Sequence, residues 1–587
     1  MGTRQKRAEL EALPYIWSQA TALRSLASVA QCSMRFSLEQ SAGVPPMPDP
    51  LSERYRELLE GSYDCVDRIV LNAYFRMGHS AGGFRTWWRQ LTGSEETLDN
   101  THLMRLAGRF SRRLRAFAQA KGIPVVDCRR GERKHEIAEQ YLTSHTGRPG
   151  LFLILVSKAQ APVWEVSGKH HLEWKDPQPY VNHYSFHIWD PDWGHVTIKI
   201  SGHPPFPAQV ILNGHEYAAA QAAKRGISFT KEGNCFTHIS DAAGLARVAD
   251  ALCDSRTIGR LSRVCERWIY TCLSFALDSE EQAQSGFRYQ YSSYQVEYSR
   301  NLIFRAGAKM ERVFQALVDR TRSLLGVERV KTILGRKQRP RYRPRQKQGR
   351  RWEVVVERPT YDLTVFKVHC GRLTLKTYTK GERVLRIEAL AHNTEELRRG
   401  RDLSKFPLLV ARLQQILERF LEALHSIDAC FLADETLEQL PLPAQLGQTR
   451  VGGIDLNKPR LRKVVEALVT LSPSPVGFTA SQVATKVSSL GLDEYGARRA
   501  AYDLKKFRAK QLVDKKPFSR GYQVSPQALQ ALTALLVLRE KVIKPLLAAG
   551  CHPQPRPRRD NLTPLDQHYE NLRLGMQGLF QELCLVA

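Results

Sequence analysis

Two stretches of this chain concentrate the residue types that handle phosphates, metals and protons. The first is Lys376-Thr377-Tyr378-Thr379-Lys380, followed closely by Leu385-Arg386-Ile387-Glu388. Alternate side chains of a strand share a face, so Lys376, Tyr378 and Lys380 point one way, and Arg386 and Glu388 share one face of the next strand. If the two faces coincide, cations, a phenol and a carboxylate meet in a cluster suited to gripping a phosphodiester. A salt-bridged hairpin without chemistry would use the same residues. The second stretch carries His183, His187, His195, His203 and His215, interleaved with Asp190 and Asp192. His183 and His187 lie four apart on a strand and so share a face, where neutral imidazoles beside a carboxylate could hold a divalent metal or move a proton. Half-buried histidines satisfied by backbone groups are the bland counterpart.

Both stretches need a scaffold, and 587 residues exceed one hydrophobic core; at about 150 residues per domain the length suggests about three or four modules. Residues 1–50 read as a helical arm ending in the Pro-rich break Val44 to Pro50. Leu51 to Leu142 is mostly helical, with strand candidates at Asp67–Phe75 and Pro124–Cys128. Leu151 to Ile200 switches to strands, with a hairpin around Asp190-Pro191-Asp192-Trp193-Gly194. Residues 240–330 return to helical spacing. Arg336 to Arg351 is Arg- and Lys-rich, and Pro340 and Pro344 forbid a stable helix, leaving an extended basic linker. Strands resume over Trp352–Ala391, followed by a long helix from Ser404 to Ile427. The expected plan is an arm (1–50), an α+β core (51–330), the linker (331–351), a hairpin and helix region completing the core (352–454), a C-terminal module (455–550) and a tail (551–587). The expected class is α+β, a mixed helical and antiparallel-sheet core with a C-terminal winged-helix module.

That module spans Pro459 to Val524 as three helices and a two-stranded wing, with Thr479 and Asp493 as candidate N-caps. Ala500, Leu504 and Phe507 fall on one stripe of the third helix, leaving Arg498, Arg499, Tyr502, Lys505 and Lys506 on a free basic face. Lys515, Lys516 and Arg520 sit in the wing. The arrangement resembles the winged helix-turn-helix domains of many bacterial regulators, which implies a helix entering a major groove with lysines on phosphates. Some winged helices bind protein instead.

The charge balance agrees. With 87 Lys and Arg against 59 Asp and Glu, the chain carries a formal +28 and calls for a polyanion. No run of about 18 apolar residues exists to cross a bilayer, and Met1 to Glu11 lacks a signal-type apolar core. A cytoplasmic protein with no membrane partner is expected, with DNA as the main partner and RNA as an alternative. Linker residues Arg339, Arg341, Arg343 and Arg345 are candidate phosphate contacts, as are Arg105, Arg109, Arg112, Arg113 and Arg115. The cysteines form no CxxC pair, so neither a disulfide framework nor a zinc ribbon is indicated.

The Lys-x-Tyr-x-Lys and Leu-Arg-x-Glu pattern, with Asp67-Arg68-Ile69-Val70-Leu71 upstream, resembles the rolling-circle replication initiators of some plasmids and filamentous phages. The resemblance implies a nickase using Mg or Mn, in which a tyrosine attacks a DNA phosphate and stays attached. Asp67 and Glu388 would be metal ligands, Lys376 and Lys380 would hold phosphate, and the nucleophile would be Tyr298 or Tyr378. The family's His-hydrophobe-His triplet has no clear counterpart. Tyr63–Phe75 and Phe186–Glu216 also resemble large uncharacterised prokaryotic proteins of mobile-element type. The expectation is therefore a nucleic-acid-binding protein of mobile-element or plasmid type, with metal-dependent DNA nicking as its sharpest form. Its rivals are a non-enzymatic DNA-binding regulator or scaffold, and an RNA-binding effector that finds its target through an RNA partner.

Overall fold

The computed structural model describes residues 49–324, 330–331, 352–428 and 439–539, apart from positions 130, 169–170, 361–362, 371, 473, 475–476 and 518, with scattered positions from 563 to 575. The N-terminal arm and the linker arginines Arg339, Arg341, Arg343 and Arg345 lie outside the described residues. In chain order the strands are β1 (Leu59–Phe75), β2 (Val125–Asp127), β3 (Gly150–Gln160), β4 (Trp164–Ser167), β5 (His171–Trp174), β6 (Tyr180–Asp190), β7 (Gly194–Ser201) and β8 (Ala208–Asn213). Next come β9 (Phe229–Lys231), β10 (Phe236–Ile239), β11 (Tyr289–Phe304), β12 (Val330–Lys331), β13 (Trp352–Thr360), β14 (Leu363–Cys370), β15 (Leu373–Lys380) and β16 (Val384–Ala391). The last are β17 (Ala444–Leu446), β18 (Thr449–Val451), β19 (Phe478–Thr479), β20 (Val513–Lys515) and β21 (Gly521–Val524). With helices between them, the class is α+β. No helix among the described residues is long and apolar enough to cross a membrane.

The chain divides into two interleaved units. The first comprises Leu71–Leu212 and Leu261–Tyr291; the second comprises Asp49–Val70, Asn213–Arg260 and everything from Ser292. The chain passes from one to the other inside β1.

The first unit is built on strands ordered β8-β7-β6-β3-β2, antiparallel except β2 on β3. The expected β6–β7 hairpin forms, and its buried Asp190 holds it. One carboxylate oxygen accepts the backbone N–H of Asp192 at 2.8 Å and of Trp193 at 3.0 Å. The other accepts from Arg267 and Trp268, each at 2.7 Å. Helix Asn100–Lys121 turns Leu103, Leu106, Phe110, Leu114 and Ala118 inward. Several of its arginines are committed to ion pairs: Arg109 with Glu281 at 2.7 Å, Arg115 with Asp127 at 2.7 Å and Arg113 with Asp278 at 3.7 Å.

The second unit orders its strands β12-β13-β14-β15-β16-β11-β1. Two expectations are corrected here. β1 starts at Leu59, not Asp67, because Glu60 and Asp64 alternate with residues buried on the opposite face. The span 240–330 is not helical throughout: β11 crosses it, its apolar pattern masked by polar residues at alternate positions such as Glu297, Ser299 and Asn301. One face of this sheet is covered by the apolar side of helix Phe406–Asp428, through residues such as Leu409, Leu413 and Leu417. On the other face Tyr63 and Cys65 pack against Ala218, Ala222, Phe236, Leu245 and Val248, from helices Gly214–Lys224 and Ala242–Asp250 and the β9–β10 hairpin.

The C-terminal segment runs helix Pro459–Leu471, β19, helix Ala480–Ser489, helix Ala497–Ala509, β20, β21, with strand order β19-β21-β20. Thr479 caps the second helix in a capping box with Gln482. The third begins at Gly496 rather than Asp493, which stays in the preceding turn. Ala500, Leu504 and Phe507 are buried as their stripe requires.

One glycine controls how closely a helix approaches β1. Asn213 accepts the His215 N–H at 2.8 Å, and a Cβ added to Gly214 would lie 1.8 Å from the Val66 carbonyl oxygen. Gly214→Ala must push the helix off the strand, so it should destabilise by about 1–3 kcal/mol, as overpacking does. A lowered urea midpoint checks this; an unchanged one would show that the helix start has room to move.

Candidate functional site

Asp67 on β1, Glu297 on β11 and Glu388 on β16 bring carboxylate oxygens within 4.8 Å of one another. Adjacency of the three strands and strand parity produce this. Ser299 pairs with Glu388 and Asn301 with Arg386, so Glu297, Ser299 and Asn301 share a face with Arg386 and Glu388. On the other side Lys376 pairs with Glu388, Tyr378 with Arg386 and Lys380 with Val384. The register makes the faces of β15 and β16 coincide, the condition that the sequence alone leaves open. Lys376 donates to Glu388 Oε2 at 2.9 Å, and Gln295 to Glu297 Oε1 at 2.6 Å.

Beneath this cluster Arg386 is wholly buried. Its Nε donates to Asn301 Oδ1 at 2.7 Å, its Nη2 to His215 Nε2 and to the Asn234 carbonyl, both at 2.8 Å, and its Nη1 lies 3.2 Å from Asp67 Oδ2. Because His215 Nε2 accepts, Nδ1 carries the proton and faces Asp67 Oδ1 at 3.2 Å. Asn234, in the β9–β10 turn, donates to both Asp67 oxygens at 2.8 and 2.9 Å and accepts from Lys380.

Burial alone would raise the Asp67 pKa, but the Arg386 guanidinium, with His215 and Asn234, holds it well below the usual carboxylate range. Burial pushes His215 down to about 4 despite Asp67, so it is neutral. Burial, with repulsion from Glu388 and Asp67, pushes Glu297 up to about 8, although Lys376 opposes. Burial and then the Glu388 carboxylate raise the Tyr378 phenol. An all-oxygen donor set that includes a carboxylate holding its proton near neutrality fits a hard divalent ion such as Mg or Mn, whose charge would replace that proton.

The structure gathers Asp67, Glu388, Lys376, Tyr378 and Lys380 on one face. It separates Tyr298, whose side chain faces the other side, buried, donating to Asp64 at 3.0 Å and accepting from Gln414 at 2.9 Å. His183 and His187 do share a strand face, but in the first unit, and among the described residues no carboxylate bonds to them. His187 Nδ1 lies 2.9 Å from His195 Nε2, while Asp190 is consumed by the hairpin turn and Arg267. Sequence reasoning places Arg386 on the shared face but not at the buried centre of the cluster, groups His215 with the histidines of the first unit, and misses Glu297 and Asn234. The alternation Glu297, Ser299, Asn301 was the available signal for Glu297; His215 and Asn234 meet Asp67 only through tertiary structure.

In the C-terminal segment Arg498, Arg499 and Tyr502 are exposed, Lys505 and Lys506 half-buried, and Lys506 Nζ sits 5.3 Å from the Tyr502 ring centre. Lys515 and Arg520 are exposed. Burial, with Arg419 and Arg412 nearby, lowers Lys516 to about 8. Asp503, fully buried, accepts from Tyr495 at 2.8 Å and from Arg460 at 3.2 Å, pinning the third helix to the first.

No family model, curated protein or solved structure matches the chain.

Removing Asp67 alone strands Arg386 as a buried charge without its nearest carboxylate, and such losses cost about 3–5 kcal/mol. Asp67→Leu should therefore lower the urea midpoint sharply, and Asp67→Leu with Arg386→Met should recover much of the loss. A double variant no more stable than the single one would mean that the two side chains are not coupled.

Proposed function

We propose that this chain is a nucleic-acid-binding protein whose second unit cuts a DNA phosphodiester with a divalent ion, in the manner of a replication-initiator nickase. The observation that carries the reading is the convergence of Asp67, Glu297 and Glu388 within 4.8 Å, beside Lys376 and Tyr378 on one sheet face. Asp67, Glu297 and Glu388 would hold the ion, which when bound would polarise the scissile phosphate and stabilise the charge developing on it. Lys376 and Lys380 would orient the phosphate. Tyr378, on the same face, would attack the phosphorus, forming the Oη–P bond as the P–O3′ bond breaks and the departing 3′ oxygen takes up the phenol proton to leave as a hydroxyl; the Tyr298 hydroxyl is engaged on the opposite face. The exposed face of helix Ala497–Ala509, with Lys515, Lys516 and Arg520, supports a winged-helix reader holding DNA by base edges and phosphates. A regulator or scaffold that binds without cutting, and an effector guided by an RNA partner, remain the rival readings. The formal charge of +28 suits all three.

The test uses full-length protein with supercoiled and single-stranded DNA, in magnesium and in manganese, with and without any co-purified nucleic acid. Glu388→Gln and Glu297→Gln should each reduce cutting at least a hundredfold while DNA binding persists, and both should weaken Mn(II) binding measured by electron paramagnetic resonance. Tyr378→Phe should abolish any protein–DNA adduct, whereas Tyr298→Phe should leave it. No cleavage in any condition removes the enzyme reading and leaves the binding protein. RNase and DNase treatment of the co-purified material then decides between the two rivals.

A further inference from the structure

The first unit carries a second concentration of unusual groups, and it contains cations where the acidic cluster contains carboxylates. Ser157 on β3, His183 on β6 and Ser201 on β7 are direct partners in the ladder, so they form one row across three strands. The neighbouring row places Ser185 opposite Lys199 on the same face. Directly opposite side chains have Cβ atoms about 5 Å apart, so the rows make a patch one or two side chains wide. Lys134, the first residue of helix Lys134–Thr143, donates to Ser157 Oγ at 2.5 Å and brings a second ammonium to the same spot. That helix has no side-chain cap at its N-terminus, so its unpaired N–H groups add partial positive charge.

This patch lacks what a structural cluster would need. Among the described residues no carboxylate pairs with Lys134 or Lys199, and the cations crowd each other: burial first, then Lys134, lowers the Lys199 pKa. Burial, followed by Lys199 and Lys134, lowers His183 to about 4 and keeps it neutral. The carboxylates close in sequence are engaged elsewhere, Asp127 with Arg115 and Glu136 with Arg133. Ser201 is only 1% exposed, yet its hydroxyl has no hydrogen-bond partner among the described residues, and neither does the buried His183 Nε2. Two like charges beside two unmet polar groups in a half-buried site cost folding free energy. An oxyanion supplies the missing charge and acceptors together.

We propose that Lys134, Ser157, His183, Lys199 and Ser201 form a phosphate-binding site on the first unit, separate from the acidic cluster of the second and suited to a terminal phosphate. A monoester phosphate brings close to two negative charges at neutral pH and three acceptor oxygens, which matches two ammonium groups and three short donors. The phosphate can belong to a free mononucleotide or to the 5′ end of a nucleic acid strand. His187, two pleats along β6 from His183 on the same face, is buried beside Phe152.

Calorimetry on the full chain, with inorganic phosphate, AMP, and an oligothymidylate with and without a 5′-phosphate, tests this. Wild-type protein should bind inorganic phosphate, and Lys199→Gln and Lys134→Gln should each weaken that binding at least tenfold, Ser201→Ala a few-fold. Near-UV circular dichroism identifies any variant that fails to fold, and Lys134→Gln, at a helix start, gives a substitution outside the sheet. If AMP follows the same pattern, the source is a mononucleotide. If only the 5′-phosphorylated oligonucleotide gains affinity over its 5′-hydroxyl form, and loses the gain in the variants, the source is a strand end. Phosphate affinity that is absent from wild type, or equal in wild type and all folded variants, overturns the proposal whatever the DNA-cutting assay shows.

Discussion

A guanidinium with no exposed surface is held in a fold only if its donors find acceptors and its charge finds a counterion. Arg386 meets most of that demand with partners from four separate parts of the second unit: Asp67 of β1, Asn301 of β11, His215 of a helix start and the Asn234 carbonyl of a hairpin turn; its Nη1 faces Asp67 as an ion pair but makes no hydrogen bond among the described residues. Each of these elements must stand where the guanidinium requires, so one side chain on β16 fixes the helix and hairpin above the sheet. Gly214 is part of the same constraint, since with a Cβ at that position the helix could not bring His215 down onto Asp67. The Asp67 carboxylate is consequently held in place by hydrogen bonds made beneath it, before any ligand is considered.

The opposite face of that sheet is a useful contrast. There Arg300 forms a bidentate pair with Asp64, at 2.7 Å on each side, and also contacts Asp49. That arrangement sets two carboxylates against one guanidinium and uses Tyr298 as a further ligand of Asp64, so its acids are spoken for. On the Arg386 face, Lys376 and Lys380 add cations while Glu297 retains its proton up to about 8. The carboxylates of this face are therefore balanced by neighbouring cations and by one held proton.

Much of this was legible in the chain. Alternation marked β15 and β16 and the shared face of Lys376, Tyr378 and Lys380, and turn residues marked the β6–β7 hairpin. Apolar stripes marked the helices of the C-terminal segment. The choice between Tyr298 and Tyr378 was not legible, because it depends on parity. Glu297 and Tyr298 are adjacent, so only one can face the cluster, and the register pairing Ser299 with Glu388 decides which. His215 and Asn234 carry no spacing signal at all, since a helix start and a turn meet Asp67 only after the sheet exists. The polar half of β11 hid a strand because its core-facing residues are themselves hydrophilic. For His183 and His187 the shared face was readable, but the lysines replacing the expected carboxylate come from another strand and a helix start.

The interleaving of the two units bears on how the molecule is made. Asp67 leaves the ribosome early, and His215 and Asn234 follow, but the arginine they surround lies 171 residues beyond His215. β11 is available earlier, but until β16 has been synthesised Asp67 has neither Glu388 nor a guanidinium beside it. A nascent or prematurely terminated chain therefore contains only part of the acidic cluster. Any reactivity assembled there would await the synthesis of β16, so fragments that end before it carry positive charge without the complete cluster.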